Sequence, residues 1–471
     1  MNWAVLAVEL GVCGWILLLL IADLVLPAED KTSLWALALT GILCCGGLWW
    51  WQEAAGIVGP FQELWVTDRF SLYFKGLFLL TAAIVILMTR GWNRHRPANP
   101  GAFYLLLFTA LLGTLVLSSV NDFLMLFLGL ELLTFSLYIM AAYLKSDPRS
   151  VEAGMKYLIL GSVSSGFLVY GIALLYGFAG TTHFSAIRAA LSQGPAPLAA
   201  QAGMLLVLAG LGFKVAAVPF HLWVPDVYEG APTPVVAFLS VGSKMAGIVA
   251  LLRVLTGAFQ PLAVLWSEVL AVLSAATILY GNLGAIPQTN MKRLLGYSSI
   301  SHAGYLLMGI SCATVAGVMA VGYYLLAYLF SNLTVFFVVS TVSETAGGET
   351  LEDYRGLSKR SGVLAATLFI GLLSLAGVPP LAGFVGKLFV LLAAMDRGRL
   401  WLVLLGAANV AVSLYYYLMV VKRMYLDAPA AATPIPVSRL ANVVLAFLVL
   451  GILAAGIFQA PFLRQLASAL Q

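Results

Sequence analysis

The chain has 471 residues, of which 62% are apolar and only 10% charged, with 25 Lys plus Arg against 20 Asp plus Glu and a net charge of +5. Soluble domains are about 25% charged and about 45–50% apolar, so this composition excludes an ordinary soluble enzyme and a disordered chain. The small, scattered basic excess forms no stripe for nucleic acid, and the class that remains is an all-α polytopic membrane protein.

In chain order, apolar runs bounded by charge, Pro or Gly predict about fourteen crossing helices. They cover 3–26, 34–52, 70–90, 102–120, 122–144, 152–177, 201–229, 232–256, 262–286, 294–312, 314–342, 361–396, 399–425 and 437–460. A crossing helix needs about 20 apolar residues. The strands of a membrane barrel are alternating segments of about 10 residues, and these continuous runs are about twice that length, so helices are predicted. The first run carries Glu9 and Asp23 and has no basic stretch before it, which reads as a retained helix rather than a cleaved signal. Cys13, Cys44, Cys45 and Cys312 lie in apolar runs without a C-x-x-C or a Cys/His cluster. No disulfide framework, metal site or iron–sulfur site is predicted.

Numbering the loops alternately places 14 basic residues on one side: Lys31, Arg90, Arg94, Arg96, Lys145, Arg149, Lys292, Arg293, Arg355, Lys359, Arg360, Lys422, Arg423 and Arg439. The other side holds 6: Arg69, Arg188, Arg253, Arg397, Arg399 and Arg464. The richer side is predicted to be cytoplasmic, with both termini on the opposite side. The remaining 5 basic residues are all lysines inside predicted spans: Lys75, Lys156, Lys214, Lys244 and Lys387.

An ionisable group at mid-bilayer costs about 2.5–3.5 kcal/mol on insertion scales and needs a partner, water or a function. Lys75 and Lys156 lie near predicted helix ends, where a stem can snorkel to the interface. Glu152, four residues before Lys156, also offers a local pair. Lys214, Lys244 and Lys387 lie deeper, with Glu131 near the middle of the fifth span. One carboxylate and three ammonium groups cannot neutralise one another by pairing. Burial favours the neutral amine and a nearby carboxylate favours the ammonium, so a lysine between the two can exchange a proton, whereas arginine stays charged. The pattern points to a proton relay. His221, in P-F-H-L-W, and His302, in Y-S-S-I-S-H-A-G-Y, are candidates for a hydrated path beside it, as are Lys156 and Glu152.

Pro219 in the seventh span and Pro379–Pro380 in the twelfth remove backbone donors and break those helices. The two breaks resemble each other, K-V-A-A-V-P-F-H-L-W against S-L-A-G-V-P-P-L-A-G-F, and lie five spans apart. Pro-interrupted segments at matching positions point to inverted repeats, because an odd offset reverses the direction of crossing. Helices four to eight (101–257) and nine to thirteen (258–426) are the expected repeats, preceded by a three-helix segment (1–100) and followed by a C-terminal helix (427–471).

Specific strings then carry a resemblance. They are P-F-H-L-W-V-P-D-V-Y-E-G-A-P-T-P-V-V-A-F from Pro219, S-V-E-A-G-M-K-Y-L-I-L-G-S from Ser150, N-M-K-R-L-L-G-Y-S-S-I-S-H-A-G-Y from Asn290 and L-A-G-V-P-P-L-A-G-F-V-G-K from Leu375. They resemble the antiporter-like membrane subunits of respiratory complex I, and the V-Y-E-G-A-P-T-P form resembles the subunit N branch. The resemblance implies a proton-translocating subunit of a complex that passes electrons from NADH to quinone. It implies Glu131 paired with Lys214 as a switch, Lys244 as central relay and Lys387 as terminal lysine. NADH, FMN, iron–sulfur clusters and quinone would belong to other subunits, since no cofactor-binding motif occurs here. The implied partners are the membrane subunits M, L, K, J, A and H, the peripheral redox arm and lipid, in a bacterial inner membrane. A cation/proton antiporter subunit and a ferredoxin- or hydrogenase-linked relative stay open as alternatives, with Lys244 and the V-Y-E-G form favouring complex I.

Overall fold

A computed structural model describes residues 2–27, 30–95, 99–429 and 433–470; Arg96, counted above on the basic side, lies outside them. Its helices are α1 (Ala7–Val25), α2 (Leu34–Ala54), α3 (Arg69–His95), α4 (Pro100–Ser118), α5 (Phe123–Ala141), α6 (Pro148–Ala179), α7 (Phe184–Leu191), α8 (Leu198–Val215), α9 (Val224–Gly230), α10 (Thr233–Phe238), α11 (Lys244–Gly257), α12 (Ala263–Ala285), α13 (Met291–Ser311), α14 (Val315–Ala346), α15 (Leu357–Arg360), α16 (Gly362–Ala376), α17 (Ala382–Asp396), α18 (Leu400–Tyr425), α19 (Arg439–Ile457) and α20 (Gln459–Ala469). A small hairpin, β1 (Gly59–Phe61) and β2 (Trp65–Thr67), precedes α3.

Among the described residues, 12 helices are long and apolar enough to cross a membrane. The polar-headed α13 and the broken pair α16–α17 complete the fourteen expected crossings. Local chemistry sets the ends. Asp122 caps α5 by accepting from the amides of Leu124 and Met125, and Asp147 caps α6 ahead of Pro148. Gly180 and Gly347 end α6 and α14 with left-handed φ of 67° and 70°. The apolar-run reading missed the hairpin and α7, α15 and α20, which are too short or too mixed to register as spans. Lys292 and Arg293, read as a loop, form the first turn of α13.

The two halves repeat a packing scheme. α4 packs on α5 as α12 does on α13, and α5 on α6 as α13 on α14. Likewise α6 packs on α8 and α9 as α14 does on α16 and α17. Five crossings separate the halves, so corresponding helices run in opposite directions. The eighth crossing is buried at every residue from Thr233 to Leu252, and α14 from Ala320 to Ser340, so both occupy the molecular centre. That eighth crossing is not a uniform α-helix: Leu239–Ser243 forms a π turn ending directly at Lys244.

Both breaks have the same construction. Ala216 and Gly377 adopt left-handed φ of 66° and 91°. Ala217 N donates to Gly212 O at 2.8 Å and Val378 N to Leu373 O at 3.0 Å; Phe220 N then returns to Ala217 O and Leu381 N to Val378 O, at 2.7 and 3.1 Å. The structural register therefore matches Ala216 with Gly377 and Pro219 with Pro380, one residue away from aligning the two Val-Pro pairs. In this register Lys214 precedes its break at the place of Leu375, and Lys387 follows its own at the place of Asp226.

Candidate functional site

The five lysines separate into two kinds. Lys75 is fully buried and forms an ion pair with Glu9 of α1 at 2.7 Å, close to the Thr67 hydroxyl at 3.5 Å and the Trp65 ring. Glu9 is itself buried. The stem does not snorkel: this is a neutral clasp between α1 and α3. Lys156 is 42% exposed and bridges Glu152 at 2.7 Å and Asp226 of α9 at 2.6 Å. Asp226 also takes Arg293 of α13 at 2.6 Å, which reaches Glu229 at 3.0 Å. Lys156 and Glu152 thus sit in a peripheral ion network tying α6, α9 and α13, apart from the buried lysines.

Lys214, Lys244 and Lys387 are each only 3% exposed, and among the described residues none of them makes an ion pair. Lys214, in the last turn of α8, donates to Thr134 Oγ1 of α5 at 3.0 Å and to the Tyr157 hydroxyl of α6 at 3.4 Å. Glu131, one turn before Thr134 on α5, accepts instead from the Ser165 hydroxyl. Carboxylate and ammonium line one cavity of about 20 Å³, with Tyr138, Gly161 and Ser164 around them. That volume holds about one water. The Glu131–Lys214 pair named by the resemblance is therefore held at electrostatic range without contact.

Lys244 donates to both the carbonyl and the hydroxyl of Ser299 on α13. That hydroxyl also meets Tyr228 of α9 at 2.9 Å and Tyr328 of α14 at 3.2 Å. One turn along α13, His302 Nδ1 contacts the Tyr324 hydroxyl at 2.6 Å and Nε2 the Tyr417 hydroxyl at 3.3 Å, and Tyr417 bonds Ser298. His302 lies within electrostatic reach of Lys244 and Lys387. Lys387 closes the series, donating to the Ala376 carbonyl across the break at 2.9 Å, with its ammonium 5.2 Å from the Tyr305 ring centre. Each ammonium is solvated by neutral oxygens and an aromatic face, which tolerate a cation without fixing it. Hydroxyls and imidazole both donate and accept, so the chain can pass a proton in either direction once water fills its gaps.

His221 is buried in the first break, its ring 4.1 Å from that of Tyr280. It stands beside the break rather than on the Lys244–His302 line. The residues that sequence reasoning missed are Thr134, Tyr157, Ser165, Tyr228, Tyr324, Tyr328 and Tyr417. Hydroxyl side chains are ordinary in membrane helices, and no local signal marks those that meet a lysine. Among the described residues, no group of three His, Cys, Asp or Glu side chains could hold a metal.

Comparison with known proteins bears on this arrangement. Residues 120–413 match the family described as NADH:quinone oxidoreductase/Mrp antiporter, transmembrane. NADH-quinone oxidoreductase subunit N of Moorella thermoacetica is 43% identical over 465 residues, covering 98% of this chain and 96% of the relative. A chain of respiratory complex I from Thermus thermophilus with bound aureothin superposes with a TM-score of 0.84 at 31% identity, covering 98% of this chain and 99% of that one. A chain of the Mrp complex from a Dietzia species superposes with a TM-score of 0.86 at 22% identity, over 100% of this chain and 97% of that one, a likeness of fold alone.

Proposed function

The chain belongs to the NADH:quinone oxidoreductase/Mrp antiporter membrane family, on its subunit N branch, and from that premise we propose that Glu131, Lys214, Lys244 and Lys387 carry the proton through it. As a proton-translocating membrane subunit of NADH-quinone oxidoreductase, the chain does its work by moving charge rather than electrons. The observation that supports this assignment is the row of three buried ammonium groups that, among the described residues, make no ion pair, two of them flanking His302. A buried charge that no anion neutralises is costly to hold, so each site lowers its energy by passing the proton on when a neighbour empties.

In this reading Glu131 modulates Lys214 through the small polar cavity between them. Lys244 takes the central place with Ser299, Tyr228 and Tyr328, and His302 connects it towards Lys387. His221 serves the hydrated margin of the first break, while Lys156 and Glu152 hold α6 and α9 in place. The repeats are 101–257 and 258–426. The redox groups, NADH, FMN, iron–sulfur clusters and quinone, act in other subunits of the complex. The partners are its other membrane subunits, M, L, K, J, A and H, and the peripheral arm. The setting is the bacterial inner membrane, with both termini on the non-cytoplasmic side.

The test is substitution within the assembled complex. Glu131→Ala or Lys214→Ala should slow NADH-driven quinone reduction coupled to pumping and leave electron transfer to soluble acceptors unchanged. Wild-type coupled turnover in either variant would refute the relay.

A further inference from the structure

Helix α19, the fourteenth crossing, lies outside both repeats, yet it meets the second break backbone to backbone. A methyl group at Gly456 would lie 2.1 Å from the Pro380 carbonyl oxygen, 2.8 Å from Ala382 N and 2.8 Å from the Leu381 carbonyl carbon. These are backbone atoms that cannot rotate aside, so a side chain is excluded there. The hydrogen standing in place of that methyl points at the Pro380 oxygen, a Cα–H···O contact of the kind found where helices approach closely. A broken helix frees carbonyls that lipid cannot satisfy. At this break the Lys387 ammonium takes the Ala376 carbonyl, and α19 covers that of Pro380. One residue earlier, the Ala455 carbonyl accepts from the Tyr323 hydroxyl of α14. The Tyr323 ring in turn meets Phe389, two residues past Lys387, edge-on at 5.1 Å.

The first break has a comparable cover. Val218 N donates to Thr277 Oγ1 of α12 at 3.0 Å, and His221 packs on Tyr280 of the same helix. α12 is the ninth crossing and the first break lies in the seventh; α19 is the fourteenth and the second break lies in the twelfth. Each break is covered by the helix two crossings later. The fourteenth helix stands to the second repeat as the ninth stands to the first.

We propose that α19 braces the second break and that Gly456 is a positioning residue for Lys387. This rests on the reading of Lys387 as a proton carrier. The brace fixes Pro380–Ala382, and with it the start of α17, from which Lys387 reaches back to Ala376.

The experiment uses the assembled complex in inside-out membrane vesicles. It reads proton uptake, the pH profile of coupled quinone reduction, and electron transfer to a soluble acceptor. Gly456→Ala should lower coupled turnover by about ten- to a hundredfold, the upper figure being the scale expected when a reacting group is displaced by about an ångström. It should also shift the pH profile while leaving the soluble-acceptor rate unchanged. Added to Lys387→Ala, it should cause no further loss. Val443→Ala on the outward face of α19, 66% exposed, should change nothing. If Gly456→Ala does not assemble, Tyr323→Phe, which removes the bond to Ala455 without adding bulk, is read in its place and should shift the profile in the same direction. A wild-type rate and profile in whichever variant is read, or losses from Gly456→Ala and Lys387→Ala that multiply, would overturn the brace alone. A Lys387→Ala complex that pumps at the wild-type rate would overturn the relay reading, and the positioning role with it.

Discussion

Removing one member of the Glu9–Lys75 pair should do far more harm than removing both. Charges 2.7 Å apart attract by about 6 kcal/mol at an effective dielectric constant of about 20. Taking each ion out of water costs several kcal/mol, so the intact pair comes near to breaking even. Glu9 Oε2 already lacks a hydrogen-bond donor. Lys75→Met therefore leaves a buried, uncompensated carboxylate, at a cost of about 3–5 kcal/mol, or about two to four orders of magnitude in the folding equilibrium. The double variant Glu9→Leu/Lys75→Met replaces the pair with apolar groups, a change often neutral or stabilising by about 1–4 kcal/mol. The measurements are the amount of assembled complex in membranes, its thermal inactivation midpoint and its proton uptake. Lys75→Met should assemble poorly and inactivate early, whereas the double variant should regain both properties and pump at the wild-type rate. A double variant as unstable as the single one would refute the energetic argument. A well-assembled double variant that fails to pump would place Lys75 in the proton path.

Two further outcomes follow from particular contacts. Ser299→Ala removes the hydroxyl that joins Lys244 to Tyr228 and Tyr328 and should lower coupled turnover about tenfold or more, the scale of one hydrogen bond to a charged group. Ser299→Thr keeps the hydroxyl and should retain most of the rate, and equal rates for the two variants would remove Ser299 from the path. Asp68, just before α3, faces Arg253 in a two-pronged ion pair with contacts of 2.6 and 2.7 Å. Burial alone would raise its carboxyl, but the Arg253 charge and hydrogen bonds, with those of Ser71, outweigh it and hold the group below its usual range. A carboxyl lowered in the folded state contributes stability that is complete above its unfolded value of about 3.9 and lost as the pH falls through the folded value. Asp68→Asn should remove that acid-sensitive part, seen as a flatter dependence of the inactivation midpoint on pH below about 5. An unchanged slope would show that the pair does not set acid stability.

Much of the candidate site was legible because its signals are local. A lysine in an apolar run is costly wherever the helix goes, and a proline breaks its own helix whatever packs beside it. Lys214, Lys244, Lys387, Glu131 and both breaks stand out for those reasons alone. Lys75 and Lys156 gave the same local signal but have different environments. Lys75 finds Glu9, 66 positions away in sequence, and Lys156 finds Asp226, 70 positions away. No periodicity or spacing encodes such partners. The π turn before Lys244 is equally silent, since L-S-V-G-S reads as ordinary helix.

The sequence by itself determined how many times the chain crosses the membrane, where two of those crossings break, and which few residues carry charge into lipid. Hydrophobic length, proline geometry and the cost of a bare charge act over a few neighbouring residues, so they are written along the chain. Only the tertiary structure decided which charges are neutralised and which are left with hydroxyls and rings. It also set the one-residue register between the breaks and brought Gly456 against Pro380. Each of these depends on which helices lie side by side, and that follows from the packing of all fourteen together rather than from any one of them.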